Sequence, residues 1–208
     1  AYLKTAIRGL SSLMAKYPNT AREHSETQEM CRLILPLALL YWQTQEETHR
    51  AWLYRVAEDL QRMRHPSGGY AEWDTGYTSI CHNSKASESS VFYENGDPVC
   101  DLLYSLNWLP FSYSIAYFVT GDTAFHKLLQ DISAFLISAQ IHSADPMIHG
   151  AWARAVDMDN MEVYGVPYDA AWAPWCIESG WTVSEITSGL MIGLLTDRVM
   201  PLFSIKRL

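Results

Sequence analysis

The sequence contains no apolar run long enough to cross a membrane. Its longest uncharged apolar stretch runs from Leu33 to Trp42, which is too short to span a bilayer, and no amino-terminal signal pattern is visible. Positive charge is also scarce, because 15 Lys and Arg stand against 23 Asp and Glu and give a formal net charge of −8. Nucleic acids and anionic membranes attract clustered positive charge, so we expect neither as the main partner.

Cysteine is sparse, and the common cofactor motifs are missing. The four cysteines form no CxxC pair or other zinc signature. The sequence leaves open whether Cys81 and Cys100 form a disulfide. The chain has no P-loop, no GxGxxG motif and no G-x-S-x-G motif. The acidic segment 157–162 has neither the glycine nor the last glutamate where a calcium loop needs them. The sequence therefore predicts no cofactor and no metal.

Helical periodicity is the dominant pattern. Apolar residues recur every three or four positions in 3–17, 46–64 and 122–141, which predicts amphipathic helices. Segments 25–43 and 98–119 are apolar nearly all round, which predicts buried helices.

The last predicted helix covers residues 182–199. Gly189 and Gly193 lie one turn apart on it, so they would permit close packing against a neighbouring helix.

The buried and amphipathic helices form a repeat. A Tyr-x-x-Thr-x-acid motif at Tyr41–Glu46 recurs at Tyr117–Asp122. Each unit reads as a buried helix, a short turn, an amphipathic helix and a long aromatic loop. The helix at 182–199 would open a further unit. This alternation predicts an all-α fold, an α/α toroid built from about three hairpins with long aromatic loops.

Two long loops hold most of the remaining aromatic and polar residues. They span 65–96 and 142–180, and four of the eight tryptophans fall between 152 and 181. Loops of this length inside a compact domain are usually functional or disordered, and these are too aromatic to be disordered. Between the hairpins of a toroid, they would cluster at one end of the ring.

The composition of these loops favours a sugar-binding surface. Sugar rings pack their C–H faces on aromatic side chains, and their hydroxyls bind carboxylates, amides and guanidinium groups. The candidate substrate-binding residues are Trp73, Tyr77, Trp152, Arg154, Trp172, Trp175 and Trp181. For any single tryptophan, packing on a helix end is the alternative, and Arg154 has a structural ion pair with Asp157 as its alternative.

The same loops hold the two carboxyl groups that glycoside hydrolysis needs, a general acid and a base or nucleophile. Glu178 is flanked by Trp175 and Trp181, whose apolar rings would raise its pKa, so Glu178 is the candidate acid. The candidates for the base are Asp74, Glu94 and Asp157.

Three motifs resemble one protein family. They are Gly-Ala-Trp-x-Arg-Ala-x-Asp at 150–157, Trp-x-Pro-Trp-Cys-x-Glu-Ser-Gly-Trp at 172–181, and Glu-Asn-Gly-Asp-Pro at 94–98 with the Leu-Leu-Tyr-Ser-Leu-Asn-Trp that follows. Together they resemble the C-terminal half of bacterial six-hairpin glycosidase-like proteins. The resemblance implies an (α/α)6 toroid, a role in polysaccharide breakdown and a periplasmic or secreted location. It carries over no catalytic residue, since many members have no assigned activity.

The predicted helices would make only part of a six-hairpin ring. We therefore expect residues 1–208 to form a single α/α domain that is the C-terminal portion of a larger toroid, or that pairs with another copy. The leading hypothesis is a glycoside hydrolase acting on an oligosaccharide or polysaccharide, with inversion preferred. A polysaccharide lyase and a non-catalytic module that binds glycan or a partner protein are the alternatives.

Overall fold

The computed structural model describes residues 1–22, 25–75, 91–164, 177, 182–195 and 198. This part of the chain is mostly helical, which agrees with the predicted helical class, and it adds a small antiparallel sheet. The helices are α1 (Tyr2–Met14), α2 (Asn19–Arg22), α3 (Glu26–Thr44), α4 (Glu47–Leu60), α5 (Leu109–Thr120), α6 (Thr123–Ser138) and α7 (Thr182–Leu194). Two short 3₁₀ helices cover Gln61–Met63 and Leu106–Trp108, and the strands are β1 (Val99–Asp101), β2 (Ala155–Asp157) and β3 (Glu162–Val163).

The helices lie in two layers. In the central layer, α3 packs against α5 and α5 packs in turn against α7. In the outer layer, α4 covers α3 and α6 covers α5, so each outer helix directly follows its central partner in the chain. Amphipathic helices need only one apolar face for this arrangement, whereas the central helices are covered from several sides. Within the described ranges, no helix combines the length and apolar character needed to span a membrane.

The turns of the two hairpins have the same hydrogen bonds, as the sequence repeat predicts. In the first turn, Gln45 adopts a φ of 55° and donates its backbone N–H to the Tyr41 carbonyl at 2.8 Å. In the second turn, Gly121 adopts a φ of 69° and donates to the Tyr117 carbonyl, also at 2.8 Å. In both turns, the last helical threonine accepts a bond from the N–H of the acidic residue before the next helix, at 3.4 and 3.2 Å.

The predicted helix at 98–119 is wrong over its first part. Residues 99–101 form β1, which pairs antiparallel with β2, and α5 begins only at Leu109. Pro110 is the second residue of α5, where the missing N–H is tolerated, and not an internal residue. A buried strand and a buried helix both have a continuous run of apolar residues, so periodicity does not distinguish them in this segment. Cys100 lies in β1 as a buried free thiol, so it forms no disulfide.

Gly189 allows α7 to approach α5 closely, as its place in the sequence predicts. A Cβ atom at Gly189 would lie 2.8 Å from the Pro110 Cβ and 3.0 Å from the Phe111 nitrogen. A Cβ atom at Gly193 would instead meet Leu129 at 3.4 Å, which is an ordinary van der Waals contact. Of these two glycines, only Gly189 is therefore required by the packing.

Gly189→Ala is expected to lower the free energy of unfolding by about 1–3 kcal/mol, because the added methyl group must push α7 away from α5. Gly193→Ala is the matched control, and it should be neutral or stabilising by up to about 1 kcal/mol because alanine favours helix over glycine. Urea unfolding followed by circular dichroism measures both. Equal destabilisation by the two substitutions would contradict the close approach at Gly189.

Candidate functional site

Three charged side chains are buried together where the small sheet meets the helices. Glu72, Asp101 and Arg154 are only 2%, 1% and 2% exposed. They come from the loop after α4, the end of β1 and the residue before β2, and we call them the acidic site. Charged side chains are almost never buried this completely unless they are paired, and perturbed groups of this kind concentrate at functional sites.

Backbone hydrogen bonds hold these three segments together. Glu72 donates its N–H to the Val99 carbonyl at 2.8 Å, and Leu102 donates to the Arg154 carbonyl at 2.6 Å. Asp101 stands opposite Ala155 in the ladder between β1 and β2. The sheet therefore sets the spacing of the three side chains.

Glu72 and Arg154 occupy corresponding places in the two repeats. Each comes two residues after a buried aromatic side chain that closes its hairpin, Tyr70 in the first and Trp152 in the second. The Tyr70 hydroxyl lies 2.9 Å from the Tyr113 hydroxyl, and the Trp152 indole N–H donates to a backbone carbonyl of α6 at 2.6 Å. The repeat therefore places a carboxyl group after one hairpin and a guanidinium group after the other, both beside Asp101.

Asp101 is held by several hydrogen-bond donors. Arg154 donates its Nε–H to Oδ2 at 3.2 Å, while Oδ1 accepts the N–H groups of Leu103 and Tyr104 at 2.7 and 2.8 Å. Burial raises the pKa of Asp101, and these donors act in the opposite direction. They stabilise the charged form of this carboxyl group.

Fewer groups stabilise a negative charge on Glu72. Burial first, and then the charge of Asp101, raise the pKa of Glu72 to about 8, while Ser105 and the backbone of Asp101 lower it only in part. Its Oε1 has no hydrogen-bond partner in the described part of the chain. Arg154 acts to lower the pKa of both carboxyl groups, but its hydrogen bond goes to Asp101. This difference favours the proton on Glu72.

Two further carboxyl groups, those of Glu26 and Asp74, are buried on or against the segment that follows Glu72. Glu26, the first residue of α3, accepts a hydrogen bond from the Thr75 hydroxyl and pairs with the half-exposed Arg62 at 3.5 Å. Asp74 is buried, and its backbone exchanges two hydrogen bonds with the Asn95 side chain at 2.9 and 2.7 Å. Asp74 thus follows Glu72 on a segment that is fixed in place on both sides.

Among the other carboxylates that the sequence suggested, neither Glu94 nor Asp157 belongs to this buried group. Glu94 is exposed. Asp157 accepts hydrogen bonds from the N–H groups of Asp159 and Asn160 at 2.9 and 3.2 Å, so it closes a surface turn. Its partial burial acts to raise the pKa of Asp157, but the bonds with Asn160 and Asp159 lower it. Its carboxylate is therefore already engaged in the turn.

The aromatic and basic candidates also lie in different environments. Trp152 is buried and its indole N–H is bonded to the Leu136 carbonyl, so it packs in the core and offers no ring face to a ligand. Arg154 pairs with Asp101, which corrects the predicted alternative of an ion pair with Asp157. Trp73 is partly exposed beside Gly96. The remaining candidates lie outside the described residues: Tyr77, Trp172, Trp175, Glu178 and Trp181.

Sequence reasoning missed the roles of Glu72 and Asp101. A signal for Asp101 was present, because it is the single charged residue in the apolar run Val99–Leu103. A carboxylate in such a run needs a buried partner, and the partner is more than fifty residues away in the sequence. Glu72 gave no comparable signal, since acidic residues are common in loops.

No group of three His, Cys, Asp or Glu side chains that could hold a metal ion is found among the residues that the structure describes. No family model matches the chain, and the search of curated proteins found no match.

Glu72→Gln should flatten the pH dependence of stability. Folding raises the pKa of Glu72 from an ordinary 4.5 to about 8, so the folded chain binds more protons than the unfolded chain in that window. The free energy of unfolding should therefore fall as the pH rises through the window, by up to about 1.4 kcal/mol for each pH unit. Urea unfolding between pH 5 and pH 8.5 measures this slope.

The control is Glu94→Gln, which removes an exposed carboxylate from the neighbouring loop and should leave the slope unchanged. A profile for Glu72→Gln that runs parallel to the wild type would show that Glu72 does not carry the proton.

Proposed function

We propose that this protein is a carbohydrate-active enzyme, a glycoside hydrolase in which Glu72 is the general acid. The observation that carries the proposal is the buried Glu72 carboxyl beside Asp101, with its pKa raised to about 8. A general acid must hold its proton at the working pH and give it up as the leaving group departs. A raised pKa of this size keeps Glu72 protonated at neutral pH. Among the described residues, we therefore assign to Glu72 the role of general acid that the sequence suggested for Glu178.

Asp74 is the proposed base. Among the described residues, it is the one sequence-suggested carboxylate that is buried close to Glu72 in the chain, two residues after it on the same fixed segment. In the proposed inverting reaction, Asp74 takes a proton from the attacking water while Glu72 donates its proton to the glycosidic oxygen. Asp101 and Arg154 are positioning residues, because the charge of Asp101 raises the pKa of Glu72 and the arginine holds Asp101 in place.

The proposed scaffold is part of an (α/α)6 toroid. Two hairpins with matching turns stand side by side, and α7 extends the central layer beyond the second hairpin. Helix α1, which contacts α3, and helix α7, at the end of the central layer, expose apolar side chains, which are Tyr2 and Leu3 on α1 and Met191 and Leu194 on α7. Exposed apolar surface of this kind marks places where more protein packs. We propose that further hairpins, from a longer chain or a second copy, complete the ring there.

A panel of neutral and acidic polysaccharides, with products separated by chromatography and detected by refractive index and ultraviolet absorbance, tests the proposal. The wild type should release saturated sugars, and Glu72→Gln should lower kcat/KM by at least about 100-fold, the usual contribution of a general acid. Glu94→Gln is the matched control and should retain wild-type activity.

Two other outcomes would each overturn the assignment. Unsaturated products that absorb in the ultraviolet would identify a lyase. Binding of a glycan without any product would identify a non-catalytic module, provided that the wild type is folded by circular dichroism.

The pH dependence of the hydrolysis provides a second prediction. Because Glu72 must be protonated to donate its proton, kcat/KM should fall as the pH rises through about 8, the pKa of Glu72. The Glu72→Gln variant should lose this alkaline limb from its residual activity. An alkaline limb that is unchanged in the variant would assign the acid to another residue.

A further inference from the structure

Ser105 is a fully buried serine whose hydroxyl does not cap the helix that follows it. It directly precedes the 3₁₀ helix Leu106–Trp108, at the N-cap position, where a serine hydroxyl commonly accepts a backbone N–H of the helix. Ser105 makes no such bond, and its Oγ has no hydrogen-bond partner in the described part of the chain. A buried hydroxyl without a partner costs free energy, so its placement calls for an explanation.

The Ser105 hydroxyl lies beside the carboxyl group of Glu72. It acts on that carboxyl as a hydrogen-bond donor and lowers the pKa of Glu72, in opposition to burial. Ser105 Oγ and Glu72 Oε1 both lack an aligned partner among the described residues, so the contact between them is only partly formed. Hydrogen bonds of catalytic groups are often long or poorly aligned in the free enzyme and tighten during the reaction.

Asp101 fixes the backbone that carries Ser105. Its Oδ1 accepts the N–H groups of Leu103 and Tyr104, the two residues immediately before Ser105. The Ser105 carbonyl in turn accepts the N–H of Trp108 at 3.4 Å. One turn therefore wraps around the carboxylate of Asp101 and brings a hydroxyl to the carboxyl group of Glu72.

The other titratable side chains that interact with Glu72 are Asp101, Arg154 and the thiols of Cys31 and Cys100. Burial raises the pKa of both thiols, and the charge of Glu72 raises it further, so the thiols are neutral where Glu72 titrates. Arg154 donates its Nε–H to Asp101. Thiols are weak donors, so the hydroxyl of Ser105 is a stronger rotatable donor than either cysteine.

We propose that Ser105 is the positioning residue for Glu72, accepting a hydrogen bond from its protonated form and donating one to its carboxylate, an inference that rests on the proposed function. A hydroxyl can do both because its hydrogen rotates about the Cβ–Oγ bond. As the Glu72 O–H bond breaks and the proton moves to the glycosidic oxygen, the Ser105 hydrogen turns toward the Glu72 oxygen that keeps the electron pair. The O–H bond of Ser105 stays intact throughout.

Ser105→Ala removes this donor and should raise the pKa of Glu72 by about one further pH unit, because a hydrogen bond to a charged group is stronger than one to a neutral group. The protein is labelled with ¹³C at the glutamate side-chain carboxyl groups. NMR then follows the resonance that is missing from Glu72→Gln, whose midpoint in the wild type should lie at about 8. This measurement requires neither substrate nor hydrolysis.

The same change should appear in the hydrolysis. Without the donor, Glu72 gives up its proton less readily, so kcat should fall about tenfold while KM changes little. The alkaline limb of kcat/KM should move to higher pH by about one unit. A serine with a purely structural role would lower activity or stability without moving this limb.

Ser114→Ala is the matched control. It removes another fully buried serine hydroxyl, which donates to the Pro110 carbonyl within α5 at 2.7 Å, and should leave the midpoint and the limb unchanged. Ser105→Cys fills nearly the same space with a weaker donor and should give an intermediate midpoint. It keeps the test open if circular dichroism shows that Ser105→Ala does not fold.

A Glu72 midpoint that is the same in the wild type, Ser105→Ala and Ser105→Cys would overturn the role of Ser105. A midpoint that moves while the alkaline limb of the active enzyme stays in place would overturn its part in the reaction. A midpoint that moves in a protein that hydrolyses none of the polysaccharides would overturn the proposed function and leave the contact between Ser105 and Glu72 standing.

Discussion

The ion pair between Asp101 and Arg154 connects the two ends of the second helical hairpin in the interior of the protein. Asp101 lies in the segment that leads into the second hairpin, and Arg154 lies in the loop that leaves it. Both charges are almost fully buried, so each depends on the other and on the N–H groups that bind Asp101. Breaking a buried pair on one side leaves an uncompensated charge, which costs about 3–5 kcal/mol. The β1–β2 pairing that fixes these two residues therefore also fixes the segments that pack against them.

Glu72 takes its chemical character from this pair. An isolated glutamate in the same position would face burial alone, whereas the carboxylate of Asp101 adds a repulsion that raises the pKa of Glu72 further. Arg154 donates a hydrogen bond to Asp101, and its charge lowers the pKa of Glu72 only in part. This asymmetry between the two carboxyl groups is the basis of the acid role that we propose.

The repeat explains how the asymmetry arises. The two hairpins share the hydrogen bonds of their turns and a buried aromatic residue in the loop that follows, but the position two residues later is Glu72 in the first hairpin and Arg154 in the second. The repeat therefore places a glutamate and an arginine beside the same neighbour, Asp101.

The sequence by itself determined the helices, their layers and the turns between them. These depend on local periodicity and on residues a few positions apart, such as Thr120 and Asp122 or Gly189 and its helix neighbours. Only the tertiary structure decided that residues 99–101 form a strand, that Trp152 packs in the core and that Asp101 meets Arg154. The reason is physical: strand pairing, burial and ion pairing depend on partners that are distant in the chain, and a local pattern does not identify those partners.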